Sequence, residues 1–150
     1  DEVAAWYGRE HDGEGVDVDE ESAEMKKRRT LLVDALLAKA TAQSMLLAEA
    51  EESDRPQRHE AFESTWSQLE QWGDPATMDD GFDLAVDRER RRGRPASALA
   101  MVHDRIDAHP HTQSLYELRL ELLEELEWDH LAAAQRNDLL RRFPDDYQPF

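Results

Sequence analysis

The sequence predicts an all-α fold of stacked antiparallel helical hairpins, with about six helices. Leu and Ala contribute 18 and 19 of the 150 residues, whereas Ile, Val and Thr together contribute 12. Helices accept Leu and Ala well and strands favour β-branched residues, so this composition favours helices. Apolar residues also recur at helical spacing along most of the chain. A third observation is that the stretch from Met78 to Pro144 repeats on itself.

The repeat has a period of 34 residues and predicts the type of hairpin. Pairs of similar residues at this spacing are Phe82 with Tyr116, Leu84 with Leu118, Val86 with Leu120, Ala98 with Ala132, Ile106 with Leu140 and Pro110 with Pro144. An early aromatic, a small Ala about two-thirds through and a closing Pro resemble the tetratricopeptide helical hairpin. Such hairpins cannot bury their apolar faces alone, so we expect them to stack into a tetratricopeptide-like superhelix.

The N-terminal residues differ from the rest in charge. Residues 1–24 hold ten acidic residues against the single Arg9, and three Gly interrupt them. This stretch has little apolar surface to offset the entropy lost on ordering. The acidic residues also lack the spacing of a calcium-binding loop. We therefore expect residues 1–21 to be a loosely ordered acidic arm or linker, and residues 22–150 to be the helical-repeat domain.

Six helices are expected within residues 22–150. Proline and glycine mark most of their limits, because proline suits a first helical turn and glycine a helix end. The first is expected over about residues 22–52 and the third over about 79–92, and the second restarts at residues 54–56 and stops at residues 73–75. The fourth follows Pro95 and ends at His109, and the fifth carries apolar residues between 115 and 126. The sixth begins at Asp129 and closes at Phe143, and its apolar residues Leu131, Ala132, Leu139 and Leu140 are expected to face inward. The second should bury Phe62, Trp66, Leu69 and Trp72 on one face. The fifth carries two apolar stripes, so we expect neighbours on two sides of it.

Several function classes are disfavoured. The net charge of −17 argues against nucleic acid, whose phosphates demand cations. No apolar run approaches the roughly 20 residues of a membrane span, and no signal-peptide pattern opens the chain, so we expect a cytoplasmic protein. There is no Cys, and His109 and His111 flank a proline without further metal ligands nearby. No Gly-x-Ser-x-Gly elbow or Gly-rich phosphate loop is present, and we expect no catalytic, metal or cofactor site.

Two features of the sequence are candidates for a protein interface. One is a cluster of arginines, which are enriched at protein interfaces. Its members are Arg88, Arg90, Arg91, Arg92 and Arg94. The cluster equally suits the C-terminal end of a helix, where cations complement the dipole. The other is the aromatic ending with Tyr147 and Phe150, which either contacts a partner or folds back on the last helix.

Several stretches of the sequence resemble the C-terminal helical region of the tripeptidyl peptidase II family. These are residues 32–36 (LVDAL) with Lys39 and Ala40, Leu69 and Trp72 before Asp74, Trp128 with His130, and residues 144–150 (PDDYQPF). The resemblance covers residues 31–150, and the acidic arm departs from it. It implies a piece of a large subtilisin-like serine exopeptidase that assembles into stacked complexes. Because no position matches that family's Gly-Thr-Ser nucleophile motif, it implies an assembly or scaffolding domain, in a homo-oligomer, without catalytic residues of its own.

A free-standing tetratricopeptide-like adaptor is the alternative interpretation. Its groove would hold Asp80, Asp83, Asp87 and Arg90 from one repeat, and Ser114, Glu117, Glu121 and Glu124 from the next. Such adaptors grip a carboxylate with cations, whereas this groove is mostly acidic and would repel one. The assembly domain is therefore the preferred interpretation, with other subunits or domains of the same protein as partners.

Overall fold

The computed structural model describes the backbone of residues 2–146 and the side chains of residues 22–146. This part of the chain contains seven α-helices and no strand, which confirms the all-α prediction. The helices are α1 (Glu2–Ala48), α2 (Arg55–Trp72), α3 (Pro75–Asp80), α4 (Phe82–Arg91), α5 (Pro95–Ala108), α6 (Gln113–Glu125) and α7 (Asp129–Arg142).

The helices belong to two compact units, Asp1–Gly81 and Phe82–Phe150. In the first unit, α1 packs against α2 and also contacts α3. In the second unit, α4 packs on α5, α5 on α6, and α6 on α7. Helices therefore pack on their neighbours in sequence, as expected of a helical stack. The side chains of residues 1–21 lie outside the described part of the chain. The loosely ordered arm and its boundary with residue 22 therefore stay predictions.

The first unit is held together by one stripe of α1 and one face of α2. The buried side chains are Val33, Leu36, Ala40 and Leu47 of α1, and Phe62, Trp66 and Leu69 of α2. Their spacing of three, four and seven residues keeps each set on one side of its helix. The Phe62 and Trp66 rings stack with centroids 6.0 Å apart. The predicted face of α2 is thus confirmed except at Trp72, which is 43% exposed at the end of the helix.

The prediction of one continuous third helix over residues 79–92 is wrong. The structure instead has two helices, α3 and α4, separated at Gly81. Asp74 explains the early start, because its carboxylate accepts hydrogen bonds from the backbone N–H and the hydroxyl of Thr77, both at 2.9 Å. These bonds lower the pKa of Asp74 and cap the N-terminus of α3. This extra helix brings the count in the described residues to seven.

The second unit preserves the 34-residue offset in its backbone. Helices α5 and α7 begin and end 34 residues apart, and Ala98 and Ala132 are buried at equivalent positions. The turns before them also match, because Gly93 and Glu127 both have positive φ, 70° and 57°. In each turn the next residue donates a 2.9 Å backbone hydrogen bond to the carbonyl five residues earlier. This is the Schellman ending of a helix. The assignment to the tetratricopeptide class stays a prediction.

Tyr116 is the centre of the core of the second unit. It is 2% exposed, and its hydroxyl donates a 2.7 Å hydrogen bond to the carbonyl of Pro110. The Phe143 ring meets its edge at a centroid distance of 5.7 Å. Tyr116 therefore ties α6 to the preceding turn and to the residue that follows α7.

Buried and exposed positions of α7 differ from a simple apolar pattern. Ala132, Gln135 and Leu139 are buried, whereas Leu131 is 53% exposed and Leu140 is 38% exposed. The inward stripe therefore includes a polar residue, and two leucines lie outside it. The interpretation of Leu131 and Leu140 as inward-facing residues is wrong for this reason.

Replacing Ala132 with Trp should destabilise the second unit. Ala132 is 1% exposed, so an indole there would overpack the contact of α7 with α6, at a cost of about 1–3 kcal/mol. Urea denaturation of the variant checks this. Ala133, which is exposed on the same helix, is the matched control, and Ala133→Trp should change the denaturation midpoint little. Equal effects at both positions would contradict the packing described here.

Part of α1 is apolar enough by length and composition to cross a membrane. The segment Ser22–Ala48 contains an 18-residue window with a mean hydropathy of 1.4. The expectation that no such segment exists is therefore wrong by this measure. The same segment supplies the stripe that α2 covers, as the core helix of a folded unit does.

Candidate functional site

Arg90, a member of the predicted arginine cluster, is engaged within the second unit. Its Nε donates a 2.9 Å hydrogen bond to Oε2 of Glu125, and its Nη1 lies 3.6 Å from Oε2 of Glu121. These bonds tie α4 to α6, although the two helices are separated by α5 in sequence. Arg90 therefore has a structural role, and reversing its charge would test packing as much as partner binding.

The remaining arginines of the cluster differ in exposure. Arg88 and Arg91 are half-buried and each takes part in an interaction. Arg92 lies 3.6 Å from Glu89, and Arg94 is exposed just before the first residue of α5. The charge that a partner could meet lies mainly at the C-terminal end of the cluster, at Arg92 and Arg94.

The carboxylates of the predicted groove are divided between both units. Asp80 ends α3 in the first unit, whereas Asp83 and Asp87 lie on α4 of the second. The three glutamates share α6, and each has a partner. Glu117 accepts a 2.9 Å hydrogen bond from Gln113, Glu121 pairs with Arg90, and Glu124 pairs with Arg136. Arginines of the same unit thus partly compensate the charges of Glu121 and Glu124, whereas the partner of Glu117 is uncharged. The predicted contact residues Tyr147 and Phe150 lie outside the described residues.

The sequence did not reveal a groove that α5, α6 and α7 form in the second unit. The groove has a volume of about 620 Å³. Its apolar lining includes Leu99, Leu123, Trp128, Leu131 and Ala134. Trp128 is 45% exposed and Leu131 is 53% exposed, so large apolar side chains border an open groove. Such a surface is typical of an interaction site.

A polar cluster forms the floor of this groove. Arg119 Nε donates a 2.6 Å hydrogen bond to Oε1 of Gln135, which fixes the orientation of the Gln135 amide. Gln135 is 5% exposed, and its Nε2 has no hydrogen-bond acceptor. Asp138 accepts a 2.8 Å hydrogen bond from Arg142, which raises the pKa of Arg142. A buried amide donor left without an acceptor costs free energy.

The described side chains do not include a group of three His, Asp or Glu placed to hold a metal ion. His109 and His111 both lie in the exposed turn between α5 and α6. The surfaces that remain as candidates are therefore the groove of the second unit and the exposed arginines beside it.

Comparison with known proteins supplies the family context. Tripeptidyl-peptidase 2 of rice (Oryza sativa subsp. japonica) is 34% identical in an alignment of 139 positions that covers 88% of this chain. The chain is homologous to part of tripeptidyl-peptidase 2. Tripeptidyl-peptidase 2 of Arabidopsis thaliana is 33% identical in an alignment of 137 positions that covers 84% of the chain. The aligned segment spans 10% of the length of each relative. No family model matches the chain, and no solved structure matches it significantly.

The family resemblance inferred from residues 31–150 is thereby confirmed. Tripeptidyl-peptidase 2 is about ten times as long as the matched segment, so the homology concerns one helical piece of a much larger protein. The described part of this chain is wholly helical and divided into two packed units.

Proposed function

We propose that this chain is a non-catalytic helical domain of a tripeptidyl-peptidase-2-like serine peptidase, where it serves subunit assembly or scaffolding. The observation that carries the proposal is the 34% identity to tripeptidyl-peptidase 2 over 88% of the chain. Helical stacks of this kind bury a continuous core and leave long helix faces for partners.

The residue inventory supports a non-catalytic role. None of the seven Ser residues follows Gly-Thr, the motif expected of the nucleophile in the resembling family. In this proposal the catalytic residues lie elsewhere in the longer peptidase.

The groove of α5, α6 and α7 is the proposed assembly surface. It combines exposed Trp128 and Leu131 with the buried donor of Gln135. Aromatic side chains in apolar pockets supply much of the binding energy at protein interfaces. The exposed Arg94 lies two residues before the groove-lining Ala96 in the chain, so its backbone is near one end of the groove. A partner subunit would meet an apolar surface with a cation at its edge.

The structure of α6 favours assembly over the adaptor alternative. A peptide-binding groove on this helix would rely on Glu117, Glu121 and Glu124. Glu121 and Glu124 instead pair with arginines of α4 and α7. A ligand would have to break these pairs, which reduces the net gain of binding.

A pair of matched substitutions in the full-length peptidase tests the proposal. Leu131 in the groove is 53% exposed, and Leu46 on α1 is 52% exposed, so each change to Asp exposes a similar charge without opening a core. We expect Leu131→Asp to reduce large complexes to smaller ones in sedimentation velocity. Leu46→Asp should leave the complexes unchanged, and the thermal stability of both variants should be kept.

The proposal fails if Leu131→Asp leaves the complexes intact at protein concentrations near the dissociation midpoint. A loss of thermal stability without any change in the size of the complexes would assign Leu131 to folding instead. Tripeptide release per subunit, measured on the same samples, separates an assembly defect from damage to a catalytic domain.

A further inference from the structure

A second surface lies in the first unit, where α2 ends against α1. Here α1 continues beyond the end of its partner, and a recess of about 790 Å³ remains between the two helices. We call it the basic recess, and its side chains are Met25, Lys26, Arg28, Arg29, Leu32 and Trp72.

The recess has a fixed wall. Arg29 Nε donates a 2.9 Å hydrogen bond to the backbone carbonyl of Trp72, the last residue of α2. A cation at this position complements the negative end of the helix dipole. The bond ties the end of α2 to α1 and places Trp72 at the rim of the recess. Arg29 is therefore a positioning residue for this surface.

The recess exposes more apolar surface than a solvated helix end requires. Met25 is 64% exposed, and Leu32 and Trp72 are each 43% exposed. Met25 and Leu32 continue the face of α1 that α2 covers further along the chain. Trp and Arg are the residue types that most often dominate binding energy at protein interfaces. The recess therefore has the residue types of a pocket that binds an anchoring side chain of a partner.

The charge of the recess is opposite to that of its surroundings. Residues 22–81 contain seven Lys and Arg, and four of them are consecutive at residues 26–29, whereas twelve acidic residues are spread over the same range. Because α1 begins at Glu2, residues 26–29 lie about six turns inside the helix, so the repulsion of cations by a helix N-terminus does not apply. Arg28 pairs with Glu24 at 3.4 Å, but both side chains are exposed, and such pairs contribute little.

We propose that the basic recess binds an acidic peptide segment of a partner protein, with one apolar side chain of that segment seated between Trp72, Leu32 and Met25. The carboxylates of the segment would meet Lys26 and Arg28. This inference goes beyond the proposed assembly role, since it rests only on observations of the first unit.

The short distance over which charges act in salt solution favours a peptide over larger anions as the ligand of the recess. At physiological salt, charges are screened beyond about 8 Å, so a short segment is affected chiefly by the local cations. A bilayer or a nucleic acid extends past the recess and meets the acidic remainder of a chain of net charge −17. A peptide segment is therefore the occupant that this charge distribution favours.

Binding of a synthetic peptide to the whole 150-residue chain tests the proposal. The probe is a fluorescein-labelled twelve-residue peptide of alternating Glu and Ser with one central Leu, followed by anisotropy. We expect Lys26→Glu to weaken binding about tenfold, which corresponds to about 1.4 kcal/mol. Lys39→Glu changes the same charge on the exposed side of the same helix and should weaken binding less than twofold. Trp72→Ala should also weaken binding, whereas Met45→Ala, which removes another exposed apolar side chain of the first unit, should not.

Several outcomes would overturn the proposal. A probe with Gln in place of Glu that binds equally well would exclude charge recognition. Equal losses for Lys26→Glu and Lys39→Glu would exclude the recess. Tighter binding to phosphatidylserine vesicles or to RNA than to the peptide would assign the surface to another class of partner. Self-association of the chain that Lys26→Glu abolishes, with no peptide binding, would make a second copy the occupant.

Discussion

Replacement of Tyr116 by Ala is expected to lower the free energy of unfolding of the second unit by about 3–5 kcal/mol, the range for deleting a buried aromatic ring. The ring is 2% exposed, and it contacts Phe143 and the Arg142 guanidinium, whose carbon lies 5.0 Å from its centroid. Its loss would leave a cavity that two packed helices cannot collapse around. Urea denaturation followed by circular dichroism measures the change.

Tyr116→Phe is the control for this prediction, because it keeps the ring and removes only the hydroxyl. The hydroxyl donates to the Pro110 carbonyl, and Pro110 is exposed, so water can replace the lost donor. We expect a loss of about 1 kcal/mol. If the Ala and Phe variants lost equal stability, the hydrogen bond rather than the ring would hold this turn.

Replacement of Phe62 by Ala should have an effect of similar size in the first unit, again about 3–5 kcal/mol. Phe62 is 0% exposed and stacks on Trp66 beneath α1. Leu46→Ala, at a half-exposed position of α1, should change stability by less than about 0.5 kcal/mol. The fluorescence of Trp66 should report the Phe62→Ala transition, since the two rings are in contact. A loss no larger than that of Leu46→Ala would show that α2 does not pack on α1 through this ring.

Local signals account for the part of the fold that the sequence predicted. Pro56 near the start of α2 and Pro95 at the start of α5 mark helix beginnings because their missing N–H needs no helical partner. The sequence pattern at residues 73–75 indicates only the end of a helix. Asp74 also starts α3, because its side chain caps the N–H of Thr77. The end of α2 and the beginning of α3 share the same residues, and the spacing of apolar residues alone cannot distinguish the two.

The candidate surfaces depend on contacts between residues far apart in sequence, and this limits what sequence patterns can show. The bond of Arg90 to Glu125 joins residues 35 positions apart, so the arginine cluster appeared free for a partner. Gln135 is buried at an inward position of α7 because Arg119 supplies a hydrogen-bond partner from α6. A polar residue in the inward stripe made Leu131 appear to belong to the core. The groove that Leu131 borders was missed for this reason.

The order of helix contacts in the second unit also has a kinetic consequence. Each helix from α4 to α7 packs mainly on its neighbours in sequence, and the turns before α5 and α7 close through bonds spanning five residues. Because most contacts join residues close in sequence, the relative contact order is low. Folding in microseconds to milliseconds is expected of such a topology. Because each helix pair depends mainly on its neighbours, unfolding can begin at the last hairpin and leave the one before it largely formed.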